Sequence, residues 1–274
     1  MRSLWLTGLA SAVLFCSFGS AGCSQDPSGA GDEIIESEEP LTRVTPEEQT
    51  AARRQDISGF TFDHLTPTTT SIMRASHWWM GAQDESPRYP KARMCASNVS
   101  KVLFLAGLTS IDQEGVRALI ADVRDRGGLV YKMPQTPDAF ATTLATIDAG
   151  HLPAGTIVAG MNVATSAPGD QHIGFVGHHD PDGTVWIYHN NWYRPENENG
   201  QRKPFMVSEE NLSRGFPRQW MATPWIKIER NTRGAITKVT SLLPAVDDMD
   251  PFNPSFRVTL AILPQVAREL RGGR

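Results

Sequence analysis

Cysteine is scarce in this chain, with 3 in 274 residues. They stand at positions 16, 23 and 95, and the first two belong to the N-terminal leader considered below. A disulfide framework is thereby excluded for the folded part, because a bridge needs two thiols. Basic residues are not in excess either: 26 Lys and Arg face 30 Asp and Glu, for a net charge of −4. No run of Lys and Arg interleaved with aromatics is present to track a phosphate backbone, so nucleic acid is not an expected partner. Beyond the N-terminus there is no apolar run approaching the ~20 residues that cross a bilayer. What is there, 40% hydrophobic and 20% charged residues, is the composition of a globular protein with one sizeable core.

Arg2 precedes an apolar stretch over residues 4–18, followed by Gly19, Ser20, Ala21, Gly22 and Cys23. A basic start, a short apolar core and small residues before a cleavage point read as a secretory signal peptide over residues 1–22. Ser20-Ala21-Gly22-Cys23 resembles a bacterial lipobox, which implies that Cys23 carries lipid and becomes the mature N-terminus. Ordinary cleavage to a soluble exported protein is the alternative. Residues 23–59 are rich in Gly, Ser and Pro and in acids such as Asp32, Glu33, Glu36, Glu38 and Glu39. They are read as a disordered tether, too polar to bury a core. Cys95 is then the one thiol left in an exported chain. Two readings stay open for it, a small buried hydrophobe or a nucleophile, and its surroundings decide between them.

A helix is predicted over residues 68–82, where Ile72, Met73, Ala75, Trp78 and Trp79 supply apolar positions, and a polar loop over residues 83–93. From Cys95, Val99, Val102, Leu103 and Ala106 recur at the four- and three-residue spacings of one helix face, and Gly107 supplies the stop. Cys95 falls at the first turn of that helix, where unpaired N–H groups and the macrodipole favour a thiolate. Two more helices follow, one from Ser110 with Gln113 as its capping-box partner, and one over residues 137–149 with Thr136 as cap and Pro137 at the first position. The pattern then turns to strands, over residues 156–161, 171–177, 184–190, 219–230 and 235–242. Asp180-Pro181-Asp182-Gly183 and Asn231-Thr232-Arg233-Gly234 supply the hairpin turns. Helices first and strands afterwards predict an α+β fold with N-terminal helices packed on an antiparallel sheet. The folded domain is expected over residues 60–230, with residues 231–274 a strand and helix extension without assigned function.

If the Asp180 turn is a simple four-residue loop, His179 pairs with Thr184 and His172 with Asn191, so that His172, His189 and Asn191 share a face. A bulge at Gly183 would put Asn190 opposite His172 instead. A thiolate needs a base, and the base needs a third group to fix its tautomer. Cys95, His172 and the 189–191 triplet offer those three parts. His178 and His179, beside the turn, read as solvent-facing. A metal site from His172, His178, His179 and Asp180 would lack the helical His pair or Cys pair of common centres, so neither metal nor other cofactor is expected.

Cys95-Ala96-Ser97-Asn98-Val99-Ser100-Lys101-Val102-Leu103, with Ala106-Gly107, resembles the nucleophile helix of the NlpC/P60 and CHAP cysteine peptidases. Leu152-Pro153-Ala154-Gly155-Thr156-Ile157-Val158 is similar to their entry into the first strand. Gln171-His172-Ile173-Gly174-Phe175-Val176 resembles their catalytic histidine strand, and His189-Asn190-Asn191 falls where they carry the polar orienting residue. The resemblance, over residues 72–228, implies a papain-like fold and a cell-envelope hydrolase in which Cys95 is the nucleophile and His172 the base. One of His189, Asn190 and Asn191 would orient that base, with His189 and Asn191 the candidates carried, and Tyr89 is the candidate side chain near the oxyanion. The implied substrate is an amide bond in peptidoglycan, in the stem peptide or at the sugar-to-peptide junction, and no cofactor is implied. Ser24 after the lipobox cysteine implies sorting to the outer membrane in a Gram-negative host. The alternative is a lipid-anchored module of the same fold that binds cell wall without cleaving it.

Overall fold

The computed structural model describes residues 44–85, 95–108, 115–164, 171–192, 218–245 and 247–272. The signal peptide, Cys23 and Tyr89 lie outside these residues. The first helix, α1 (Pro46–Arg54), starts at Thr45, whose side chain accepts the Glu48 N–H while the Glu48 carboxylate accepts the Thr45 N–H. This capping box, with Pro46 in the first turn and Arg53 and Arg54 in the last, makes a helix inside the segment expected to be tether. Ala52 is fully buried and Arg74 donates to the Arg53 carbonyl, so packed structure begins before residue 60.

The expected helices α2 (Pro67–Glu85) and α3 (Cys95–Leu105) are present, joined by the Trp79 indole N–H donating to Asn98 Oδ1 at 2.8 Å. Helix α4 (Val116–Asp125) has Gly115 as its N-cap, with no side-chain bond; the expected Ser110 and Gln113 box lies outside the described residues. Helix α5 (Pro137–Thr146) opens at Thr136 and Pro137 as expected, then tightens into a 3-10 turn, Ile147–Gly150.

Among the described residues there are seven strands, the first lying between α4 and α5: β1 (Leu129–Lys132), β2 (Ile157–Asn162), β3 (Gln171–His179), β4 (Thr184–Trp192), β5 (Arg218–Arg230), β6 (Ile236–Ser241) and β7 (Phe256–Ile262). They form one curled antiparallel sheet in the order β1-β7-β2-β3-β4-β5-β6, so the fold is α+β. The chain after residue 230 is not an appendage, because β6 forms one edge and β7 is inserted between β1 and β2. Both sides of β7 are buried, Val258 and Leu260 on one and Thr259 and Ala261 on the other, as befits an interior strand covered on both faces. Helix α6 (Pro264–Gly272) then returns to the start of α2, where the Glu269 carboxylate accepts from the Thr68 N–H and hydroxyl.

Aromatic residues fill the core on both faces of the sheet. Phe175 meets Trp220 edge to face at 6.0 Å, and Phe140 of α5 meets Trp225 at 6.4 Å. Each fully buried phenylalanine contributes about 1.5–3 kcal/mol, more than the ~1 kcal/mol net of a typical hydrogen bond. Packing, not the polar networks, therefore carries the fold.

The Asp180 turn closes through the Gly183 N–H on the Asp180 carbonyl at 3.0 Å, but β3 and β4 do not keep one register. His179 faces Val185; after an irregularity between Val176 and His179, the pairs are Val176 with Ile187, Phe175 with Tyr188 and Gly174 with His189. The bulge therefore lies in β3 rather than at Gly183, and the restored register, continued by two residues, brings Asn191 across from His172. The same bulge turns His178 inward. Expected to face solvent, it is buried, hydrogen-bonded to the Tyr188 hydroxyl at 2.7 Å and stacked on Trp186.

Candidate active site

Cys95 is the first residue of α3 and is 1% exposed. Its Sγ lies 3.8 Å from the Gln171 carbonyl oxygen. Because Gln171 opens β3, the thiol adjoins the peptide unit that leads into His172. In general, the first-turn N–H groups and the dipole of a helix N-terminus favour a thiolate over a thiol.

His172 lies on the strand face it shares with Gly174, and by register with Gly160 of β2, His189 of β4 and Met221 of β5. Its Nε2 is 2.7 Å from His189 Nδ1, with the two rings nearly perpendicular. His189 Nε2 is in turn 2.8 Å from the Thr223 hydroxyl. The contact between the two histidines is diagonal across the strands and depends on Gly174. A Cβ there would sit 2.7 Å from His189 Cβ, so its absence lets the His189 ring lean over β3. Strand alternation sends Asn190 to the opposite face. Asn191 stands across from Gln219 on the β5 side, and its side chain lies outside the described part. Of the three residues offered by the sequence, His189 is bonded to His172 through its side chain.

The structure adds Asp248, which sequence reasoning missed. Its Oδ2 lies 3.8 Å from His172 Nδ1, an ion-pair distance. The turn over residues 247–250 rests directly on β2, where a Cβ on Gly160 would strike the Asp248 carbonyl oxygen. The Trp225 indole N–H fixes the turn from the other side, donating to the Met249 carbonyl at 2.8 Å. Behind it, burial pushes the Asp247 carboxyl up, against the opposing pull of the Met249 N–H and the His172 charge. No local signal in the sequence marks Asp248, which stands 76 positions beyond His172 and is brought there by the return of β7 to β2. Strand and turn periodicities are blind to that approach.

Burial holds His189 neutral, its pKa well below the ordinary value, and the charge of His172 acts in the same direction. A neutral imidazole has one N–H, so two proton arrangements satisfy the chain of bonds. In one, His189 Nδ1–H donates to His172 and the Thr223 hydroxyl donates to His189. In the other, His172 Nε2–H donates to His189 and His189 Nε2–H donates to Thr223. The second leaves His172 Nδ1 unprotonated, with the Asp248 carboxylate 3.8 Å away and placed to stabilise a proton that arrives there.

No known family profile, curated protein or solved structure matches this chain. Among the described residues no helix is long and apolar enough to cross a membrane.

Proposed function

We propose that this chain is a papain-like cysteine hydrolase of the cell envelope, of NlpC/P60 or CHAP type, cleaving an amide bond in peptidoglycan. The observation that carries the reading is the Cys95 thiol at a helix start, against the peptide that leads into His172, with His172 bonded through Nε2 to a buried neutral histidine. In the reaction, His172 Nδ1 takes the proton of Cys95 and Sγ attacks the amide carbonyl. Backbone N–H groups at the start of α3 stabilise the oxyanion. The imidazolium then gives its proton to the leaving amine, and water, activated by the same nitrogen, resolves the thioester. His189 fixes the tautomer throughout, and Asp248 lowers the energy of the imidazolium state. Export by residues 1–22, lipid on Cys23 and placement in the outer membrane belong to the same proposal. No cofactor is part of the scheme.

Near-complete burial of Cys95 favours one other reading, a lipid-anchored wall-binding module with an inert thiol. Digestion of purified peptidoglycan separates the two. The hydrolase releases fragments with new amine termini, and Cys95→Ala releases none while still folded by circular dichroism. Equal release by the variant would overturn the proposal, and binding without release by the unaltered chain would favour the module.

A further inference from the structure

A second group of ligand-type side chains joins the loop before α2 to the turn after α5. His151 Nδ1 lies 2.8 Å from Asp63 Oδ1, and His64 Nδ1 contacts Asp148 Oδ2. The two imidazoles stack, with centroids 4.0 Å apart and planes 16° from parallel. Ligand atoms of Asp63, His64 and His151 all lie within 4.8 Å of one another. We propose that Asp63, His64 and His151 bind a divalent transition-metal cation of the zinc class. This inference is independent of the reading of Cys95 and His172.

Two imidazoles and one carboxylate, with a fourth position left for water, are a donor set that zinc takes readily and magnesium does not. The supporting shell is also present. Asp148, with a side chain 5% exposed, holds His64. The Leu152 N–H holds Asp63 Oδ2 at 3.1 Å, and the Ala154 N–H holds the Asp63 carbonyl at 2.9 Å. Such second partners set the orientation of ligands in metal centres.

The backbone points to the same place. His64 and Asp148, at φ 46° and 41°, are the non-glycine residues with positive φ among those described. Left-handed backbone is sparsely populated by such residues and persists where its surroundings impose it; here both instances fall in one cluster. Asp63 and His151 also line a cavity of about 670 Å³, which leaves room for an incoming ion.

Loading the site requires modest movement. Metal bonds of 2.0–2.2 Å place tetrahedral ligand atoms roughly 3.3 Å apart. The His151 to Asp63 contact opens slightly, the wider separations close, and one imidazole turns out of the stack to aim its lone pair. Side chains of His64 and His151, 41% and 42% exposed, have room to turn. Once bound, the cation clasps the segment before α2 to the 148–151 turn.

The test uses the full chain with its cysteines replaced by Ala, so that thiols do not compete. Titration with zinc by calorimetry is expected to show one saturable site, raised thermal stability on loading and no displacement by magnesium. His64→Gln and His151→Gln are each expected to weaken binding about tenfold or more. X-ray absorption on the zinc-loaded chain needs no change at the cluster and is expected to report two imidazole ligands. Absence of saturable binding, binding unaffected by both substitutions, or fewer than two imidazoles on the metal would each overturn the proposal.

Discussion

The imidazole of His172 is held from two sides, by a histidine that cannot easily accept charge and by a carboxylate that welcomes it. Nε2 bonds His189, which burial keeps neutral, and Nδ1 faces Asp248 at 3.8 Å. Under the proposed mechanism these neighbours have different effects when removed. His189→Ala frees the ring to rotate and takes away a partner for its N–H, so turnover on peptidoglycan fragments is expected to fall about 10²-fold or more, with little change in KM. His189→Gln retains a hydrogen-bonding group and is expected to recover part of the loss. Asp248→Asn keeps the shape but removes the charge, so the pKa of His172 is expected to fall, as measured by NMR titration of its ring protons. An unchanged His172 titration in that variant would remove Asp248 from the account.

At the scale of elements, the site depends on two missing side chains as much as on those present. Gly174 clears the way for the His189 ring, and Gly160 lets the 247–250 turn lie on β2. Gly174→Ala puts a methyl group 2.7 Å from His189 Cβ, between paired strands that have little freedom to separate. A loss of about 1–3 kcal/mol is expected by urea denaturation. A fully folded variant of unchanged stability would show that the diagonal contact does not need the glycine. The hairpin itself is legible in the sequence from the Asp180 turn, and a simple four-residue loop there puts His189 and Asn191 on the face of His172. The sequence leaves open a simple turn or a bulge at Gly183; in the structure the irregularity lies in β3, between Val176 and His179. Alternation alone is satisfied by either position, because a bulge reverses which side chains face inward only for the residues between it and the turn.

Across the whole molecule, local periodicity revealed α2, α3 and β2 to β6, because each buries a face at its own repeat. It missed β7 as an interior strand and Asp248 as a neighbour of His172, since both depend on a return from the far end of the chain. It also took α1 for tether: nine residues of low hydrophobicity form a helix there because of their caps and because Ala52 is buried. Deleting residues 231–274 is therefore expected to unfold the sheet rather than trim it, with loss of the cooperative thermal transition.

A second property of the whole chain is its response to acid. His77 and His178 share the Tyr188 hydroxyl at 2.8 and 2.7 Å. Burial is the main cause that lowers the pKa of each from 6.5 to about 4. For His77 the charge of His178 adds to this; for His178 Asp180 opposes it and His179 adds to it. A base whose folded pKa is depressed is neutral in the fold while its unfolded form takes up protons. Its contribution to stability is full above pH 6.5 and is lost as pH falls towards 4. The thermal midpoint is expected to decline across that window, and His77→Gln, neutral at every pH, to flatten the decline. An equal slope in the variant would assign the acid sensitivity elsewhere.

The central claim is that Cys95 and His172 form one proton-sharing unit, and the rate of Cys95 alkylation against pH tests it most directly. In the folded chain lacking residues 1–22, with Cys23 replaced, the account predicts an apparent thiol pKa well below the free value of about 8.5, and an upward shift in His172→Ala. An ordinary or unreactive thiol, with a profile indifferent to His172, would contradict it.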